Sequence, residues 1–197
     1  MTEFWNERYA TVEYAYGTEP NLFFRDNLKS ISPGKILFPA EGEGRNAVFA
    51  ARMGWDVTAF DVSTEGKKKA EQLAANNQVK ISYLIENFEN VSCPVNYYDC
   101  IVLIFAHMHP AKRKELHQKL VSFLKPGGIL ILEGFSKKQI NNNSGGPRDI
   151  NMLFSKDELQ SDFGFFSELT ITEADYILDE GPFHQGIASV IRVKGIK

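Results

Sequence analysis

Short apolar runs alternate with amphipathic stretches along most of the chain. The apolar runs fall at residues 35–38, 56–60, 80–85, 100–105 and 129–132. Between them, residues 46–53, 65–75 and 112–124 have the apolar spacing of helices. Strands separated by helices predict βαβ units and a parallel sheet. The run at 100–105 is continuously apolar, which is typical of a strand covered on both faces.

The pattern changes after Phe154. A short helix is predicted over residues 156–162, followed by two long β-like stretches at about 169–178 and 187–193. Turn-forming glycine and proline lie between the two stretches, so we expect an antiparallel pair that closes one edge of the sheet. Residues 141–147 read Asn-Asn-Asn-Ser-Gly-Gly-Pro, and this composition predicts a loop.

Composition limits the classes of function. The chain has 197 residues, 43% hydrophobic and 24% charged, which predicts one soluble globular domain with a short appendage. A net charge of -3 without a dense basic patch argues against a nucleic-acid partner. No signal peptide, membrane span or metal-ligand cluster is expected, and Cys93 and Cys100 are too few for a disulfide framework. We therefore expect a cytoplasmic monomer or homodimer with no membrane partner.

The strongest chemical motif follows the first predicted strand. Residues 38–47 read Phe-Pro-Ala-Glu-Gly-Glu-Gly-Arg-Asn-Ala. Gly42 and Gly44 allow the backbone to approach a ligand, and the next helix begins with unpaired N–H groups. Asp61 ends the second strand, where a carboxylate accepts hydrogen bonds from ribose hydroxyls. Loop and acid together predict a nucleoside cofactor. The alternative interpretation is a tight turn and a helix-capping aspartate.

Two nucleoside cofactors fit this pattern. Ala47 stands where the dinucleotide fingerprint has its third glycine, and alanine is tolerated there, so the loop alone does not exclude NAD. Glu41 and Glu43 favour S-adenosylmethionine (SAM). Their charges would repel a pyrophosphate but would attract a sulfonium cation.

The order of the motifs resembles that of the class I SAM-dependent methyltransferases. The match covers about residues 34–135: the glycine loop resembles motif I, residues 60–63 the ribose-acid motif, 98–102 the fourth-strand motif, and 124–128 the segment before the fifth strand. The resemblance implies a three-layer α/β Rossmann-like fold. Its seven-stranded, mostly parallel sheet would have the order 3-2-1-4-5-7-6, with strand seven antiparallel.

The resemblance also implies a set of SAM-binding residues. These are Ala40, Glu41, Gly42, Gly44, Asn46, Asp61, Val62, Asn87, Phe88 and Phe105. Three positions depart from the family pattern. Phe38 replaces the first acid of motif I, Ala40 replaces its first glycine, and Asn87 replaces the acid that contacts the adenine. Glu41 is expected to substitute for the missing acid from a shifted position.

A narrower resemblance involves the N-terminal residues. Residues 5–9, Trp-Asn-Glu-Arg-Tyr, and 16–21, Tyr-Gly-Thr-Glu-Pro-Asn, resemble the tellurite-resistance and thiol methyltransferase-like branch. This implies an N-terminal segment, residues 1–32, that covers the active site of a methyltransferase domain at 33–197. Tyr16 and Trp5 would form an apolar lid. The implied acceptor is a small molecule containing sulfur or another chalcogen.

Polar residues after the fourth strand are candidates for the chemistry. His107 or His109 is expected to orient or deprotonate the substrate, with a packed or helix-capping histidine as the alternative. Arg113 is a candidate for holding an anionic substrate, although a solvated arginine is equally expected. His117 is predicted to be structural. The sequence thus predicts a SAM-dependent methyltransferase, with an NAD-dependent oxidoreductase and a non-catalytic SAM-binding protein as alternatives.

Overall fold

The computed structural model describes residues 2–197, and its strands form one sheet. The strands are β1 (Lys35–Pro39), β2 (Asp56–Asp61), β3 (Ser82–Ile85), β4 (Tyr98–Ile104), β5 (Leu124–Phe135), β6 (Glu168–Asp179) and β7 (Gln185–Ile196). Their order is β3-β2-β1-β4-β5-β7-β6. Strand β7 is antiparallel to both of its neighbours. The predicted fold class and strand order are therefore confirmed.

Six helices separate or precede these strands in the described chain. They are α1 (Thr2–Tyr9), α2 (Leu22–Leu28), α3 (Arg45–Arg52), α4 (Thr64–Asn76), α5 (Pro110–Phe123) and α6 (Lys156–Phe163). Two short 3₁₀ turns, Lys137–Asn141 and Ile150–Met152, lie beside the predicted loop at 141–147. No helix among residues 2–197 is long and apolar enough to cross a membrane.

The chain divides into two compact units. The first runs to Ser92 and includes Glu180–Phe183, and the second contains Cys93–Asp179 and His184–Lys197. The described part of the predicted N-terminal segment, residues 2–32, therefore lies in the first unit with β1, β2 and β3. Met1 lies outside the described residues. The function predicted for this segment stays a prediction.

In the first unit, β1 pairs in parallel with β2, and β2 with β3. Helix α4 begins where the Ser63 hydroxyl accepts a hydrogen bond from the Gly66 N–H, as an N-cap serine does. Its apolar face, with Leu73 and Ala74, packs against Val48 of α3. This packing fixes the positions of both loops that follow β1 and β2.

In the second unit, β4 and β5 are parallel, while β6 and β7 form a twelve-residue antiparallel pair. Strand β5 begins five residues earlier than the apolar pattern predicts. It runs through the Pro-Gly-Gly sequence because Leu124 pairs with Tyr98 and the Gly127 N–H donates to Lys197 O. A register shift between Tyr98 and Cys100 accommodates the irregular start.

Candidate cofactor site and candidate active site

The glycine loop connects β1 to α3 through three residues with left-handed backbone. Ala40, Gly42 and Gly44 have φ angles of 51°, 61° and 87°. A Cβ atom on Gly42 would lie 2.6 Å from the Tyr9 hydroxyl, and one on Gly44 would lie 2.6 Å from the Ala70 Cβ. Both positions therefore require glycine, Gly42 for the space above the loop and Gly44 for the close approach of α3 to α4.

Glu41 caps helix α3. Its Oε1 accepts hydrogen bonds from the N–H groups of Asn46 and Ala47, each at 2.8 Å. Burial raises the pKa of the Glu41 carboxyl to about 7, although these hydrogen bonds and nearby Arg45 act in the opposite direction. The predicted contact with the methionine amino group of SAM stays a prediction. The capping role was not predicted from the sequence.

Asp61 ends β2, as the sequence predicts. The side chain is buried, with Oδ2 accepting from the Gly42 N–H at 3.1 Å and Oδ1 from the Ser63 N–H at 2.9 Å. Burial raises its pKa despite these bonds. The carboxylate thus joins the glycine loop to the start of α4. Each oxygen keeps a further lone pair, so a ribose hydroxyl remains a chemically suitable partner.

The N-terminal segment is hydrogen-bonded to the glycine loop. Glu43 is 4% exposed and accepts from the Ala15 N–H at 2.8 Å, and it pairs with Lys69 Nζ at 2.7 Å. Asn46, predicted to bind cofactor, uses its Oδ1 to accept from the Asn21 N–H at 2.9 Å. The Asn46 side chain therefore anchors the N-terminal segment, and its contact with SAM stays a prediction.

Tyr9 lies directly against this loop, a position that the sequence pattern did not predict. The side chain is buried, and its ring packs near Gly42 and Gly66. Among residues 2–197 its hydroxyl has no hydrogen-bond partner. Burial, followed by the negative charge of Asp61, raises the Tyr9 pKa well above its usual value. An aromatic residue at the end of a weakly patterned helix gave no indication of this position.

The residues of the loop fit SAM better than a dinucleotide. Glu41 and Asp61 bring two carboxyl groups without a salt bridge among residues 2–197 to the ends of β1 and β2, which suits a cation and opposes a pyrophosphate. The Tyr9 hydroxyl supplies a donor beside Gly42. Phe38 replaces the first family acid without loss of structure, because its fully buried ring packs edge-on against Phe24.

The remaining predicted cofactor residues of this unit follow β2 and β3. Val62 is half-buried beside Asp61. Asn87 accepts from the Asn90 N–H at 2.7 Å and shapes the turn after β3. The Phe88 ring packs edge-on against Phe60, with centroids 5.6 Å apart. Their contacts with an adenine ring stay predictions.

In the second unit, His107 is held by hydrogen bonds at both ring nitrogens. Nδ1 lies 2.8 Å from Met152 O, and Nε2 accepts from the Phe135 N–H at 3.1 Å. The ring also stacks on Phe154, with centroids 4.6 Å apart. Burial lowers the His107 pKa to about 4. This is the packed histidine that the sequence offered as an alternative, and the geometry gives no support to a role as general base.

His109 and Arg113 are also used by the fold. His109 caps α5, with Nδ1 accepting from the Ala111 N–H at 3.3 Å. Arg113 Nε lies 2.8 Å from Asp162 Oδ2, and its Nη1 lies 3.1 Å from Glu158. Both carboxylates occupy the guanidinium, so the geometry does not support the predicted contact with an anionic substrate. The fully buried His117 completes this cluster at 2.8 Å from Asp162, in agreement with a structural role.

Phe105 follows β4 in a strained conformation. Its φ is 51°, in the left-handed region that non-glycine residues seldom adopt. The Phe105 N–H donates to Glu133 O at 2.7 Å, and the ring packs against Phe135 and His184, with centroids 4.5 Å away in each case. Strain of this kind is typical of functional sites, and the predicted cofactor contact of Phe105 stays a prediction.

Comparisons with known proteins agree on one family. A methyltransferase-domain family model matches residues 36–128. The ubiquinone biosynthesis O-methyltransferase of Rickettsia prowazekii is 31% identical over 116 residues, which cover 57% of this chain and 44% of that protein. The chain therefore spans less than half the length of this relative.

Solved structures share the fold. TehB from Haemophilus influenzae superposes with a TM-score of 0.70 at 18% identity, covering 100% of this chain and 66% of that one. A structure concerned with converting a disulfide bond into a thioacetal group during echinomycin biosynthesis gives a TM-score of 0.81 at 13% identity, covering 100% and 91%. The fold and the motifs around the glycine loop define a Rossmann-like α/β domain. More particularly, residues 36–128 match the methyltransferase-domain family, and the comparisons together support a class I SAM-dependent methyltransferase.

Proposed function

We propose that this protein transfers a methyl group from SAM to a small-molecule acceptor. The observation that carries the proposal is the acid-rich glycine loop, in which Glu41, Gly42 and Asp61 lie at the ends of β1 and β2. Bound SAM would supply a methyl group already activated by the sulfonium. The protein's own task is then to hold, orient and desolvate the reactants.

Each part of the loop has a separate task in this proposal. Gly42 lets the Tyr9 ring lie directly on the loop, Asp61 accepts hydrogen bonds from the ribose, and Glu41 attracts the amino group of SAM. Tyr9 and Tyr16 of the N-terminal segment exclude water from above the loop. A dry, preorganised surrounding strengthens each of these electrostatic contacts.

We further propose that the acceptor atom reaches the site already deprotonated, as a thiolate or a chalcogen oxyanion does at neutral pH. The contacts of the two histidines predicted as candidate bases support this proposal, since His107 is bonded at both nitrogens and His109 caps α5. An acceptor with a low pKa needs no general base. The N-terminal resemblance to the thiol and tellurite branch supports the same class of acceptor.

Transfer of an isotope-labelled methyl group from SAM tests the proposal. The acceptors would be an aromatic thiol, tellurite and a phenol with a high pKa, each assayed with the wild-type chain and the Asp61→Ala variant. We expect label in the thiol or tellurite product, little in the phenol, and loss of transfer in the variant. Reduction of NAD by an alcohol would instead support an oxidoreductase. Binding of SAM without transfer to any acceptor would support a non-catalytic SAM-binding protein.

A further inference from the structure

An open groove lies between helix α1 and the turn that joins β6 to β7, within the first unit. It has a volume of about 260 Å³ and is lined by Phe4, Glu7, Arg8, Thr11 and Phe183. Phe4 and Phe183 are 53% and 42% exposed, so two large aromatic rings face solvent at its rim. Exposed aromatic surface of this kind is a feature of ligand-binding grooves.

Arg8 stands between the two rings. Its guanidinium carbon lies 3.9 Å from the centroid of Phe183 and 5.0 Å from that of Phe4. Nη1 donates a hydrogen bond to the Tyr16 hydroxyl at 3.2 Å. Among residues 2–197, no carboxylate forms a salt bridge with Arg8. The stacked rings and the tyrosine fix the plane of the guanidinium and leave other N–H donors for a ligand.

Aromatic contacts connect this groove to the glycine loop. The Tyr16 ring lies 6.2 Å from Phe183 and 6.4 Å from Tyr9, measured between centroids. Tyr9 in turn packs beside Gly42. A molecule in the groove would therefore lie at one end of an aromatic row whose other end is the candidate cofactor site.

We propose that this groove, formed by Phe4, Arg8 and Phe183, binds planar molecules that carry an anionic substituent. The aromatic rings bind the flat part of the molecule, and Arg8 donates paired hydrogen bonds to a carboxylate or similar group. This inference goes beyond the proposed methyltransferase function, because the rings of Tyr16 and Tyr9 lie between the groove and the glycine loop. It makes Arg8 the anion-binding residue of a second site and gives it no part in methyl transfer.

Calorimetric titration with three related probes tests the inference. The probes are 2-naphthoate, the neutral 2-naphthalenemethanol and the non-aromatic cyclohexanecarboxylate, each added to the full chain with and without saturating S-adenosylhomocysteine. We expect 2-naphthoate to bind at least about tenfold more tightly than either other probe, because only it satisfies both the rings and the guanidinium.

Variants separate the contributions. Arg8→Met should weaken the binding of 2-naphthoate about tenfold and change the affinity for 2-naphthalenemethanol by no more than about twofold. Arg8→Lys should recover only part of the lost 2-naphthoate affinity. Arg52→Met, which removes an exposed arginine of α3, is the matched control and should change nothing. Thermal melting verifies that each variant folds, and an Arg8→Lys chain serves if Arg8→Met does not fold.

The results have distinct meanings. Equal binding of the naphthoate and the neutral alcohol, or no loss in Arg8→Met, would overturn the groove assignment even where S-adenosylhomocysteine binds. Failure of S-adenosylhomocysteine to bind would contradict the proposed function. In that case the titrations without it still measure whether Arg8 and the two rings recognise an aromatic anion.

Discussion

Buried acids have opposite environments in the two units. Around the glycine loop, burial raises the pKa values of Glu41 and Asp61, and no cation forms a salt bridge with either carboxyl among residues 2–197. At the α5–α6 contact, burial alone would raise the pKa of Asp162, but hydrogen bonds from His117 and Arg113 outweigh it and hold the pKa low. At neutral pH, the raised pKa values of the first arrangement lower the stability of the fold, and the lowered pKa of the second raises it.

This difference suggests a binding role for Glu41 and Asp61 and a structural role for Asp162. Uncompensated buried acids persist where a ligand completes their environment, and a cationic cofactor would do so at the loop. An acid whose charge is already neutralised by a cationic side chain attracts a ligand only weakly. The comparison therefore predicts that substitutions in the two regions affect different measurements.

The largest effect is expected at Asp162. Asp162→Ala leaves Arg113 and His117 without their shared partner, so the free energy of unfolding should fall by about 3–5 kcal/mol. Urea unfolding followed by circular dichroism measures this loss, with Asp162→Asn as the milder variant if Asp162→Ala does not fold. Affinity for S-adenosylhomocysteine should be unchanged in the folded variant. If Asp162→Ala binds S-adenosylhomocysteine more weakly but unfolds at the same free energy, Asp162 has a binding role and the contrast between the two regions is wrong.

Asp61→Ala should act chiefly on binding. Loss of a charge-assisted hydrogen bond to the ribose should weaken the binding of S-adenosylhomocysteine by about 1.5–3 kcal/mol. Calorimetry measures the change, and His107→Gln, which keeps a polar side chain in the second unit, is the control with unchanged affinity. If Asp61→Ala binds as tightly as the wild type, the ribose assignment is wrong.

Glu41 should make both affinity and stability depend on pH. With a pKa of about 7 in the fold, it is mostly neutral near pH 6 and mostly ionised near pH 8. Affinity for S-adenosylhomocysteine, whose amino group is cationic, should then rise up to about tenfold over that interval.

Stability should change in the other direction. The raised pKa of Glu41 stabilises the fold below the pKa of the unfolded chain, and that contribution is lost as pH rises towards 7. Glu41→Gln keeps an oxygen for the Asn46 and Ala47 N–H groups, so the variant should fold and lose both dependences. Calorimetry and urea unfolding at several pH values test this. A pH profile unaltered by Glu41→Gln would exclude Glu41 as its source.

The smallest effect is expected at Ala40. Alanine at a φ of 51° is strained, so Ala40→Gly should raise the free energy of unfolding by about 1 kcal/mol. Gln78→Gly is the matched control, because Gln78 also has a positive φ, 57°, but lies outside the loop. Both variants should gain stability, and only Ala40→Gly should alter cofactor affinity. A destabilised Ala40→Gly would contradict the strain argument.

Much of the fold could be predicted from local patterns. The apolar pattern predicted every strand and four helices to within five residues at each end. The clearest signal came from β4, because a parallel strand covered on both faces is continuously apolar. Helices α1 and α2 were not predicted, since α1 buries only Tyr9. Its position depends on hydrogen bonds with distant residues, such as that from the Ser63 hydroxyl to Asn6 at 2.7 Å.

The candidate site was less predictable. The glycine spacing located Gly42, Gly44 and Asp61, because a tight turn restricts which residues are allowed. The histidines after β4 could not be assigned, since a base and a packed histidine look alike until both ring nitrogens have partners. Arg8 and Tyr9 were quoted only as part of the N-terminal motif, and Phe183 was not predicted, because only the fold brings these distant segments together.

The most direct test of the central claim is calorimetric titration of the purified chain with S-adenosylhomocysteine, with NAD as the parallel control. We expect micromolar binding of S-adenosylhomocysteine, no binding of NAD, and loss of S-adenosylhomocysteine binding in Asp61→Ala. Binding of NAD alone, or of neither molecule, would contradict the assignment of the acid-rich glycine loop to SAM.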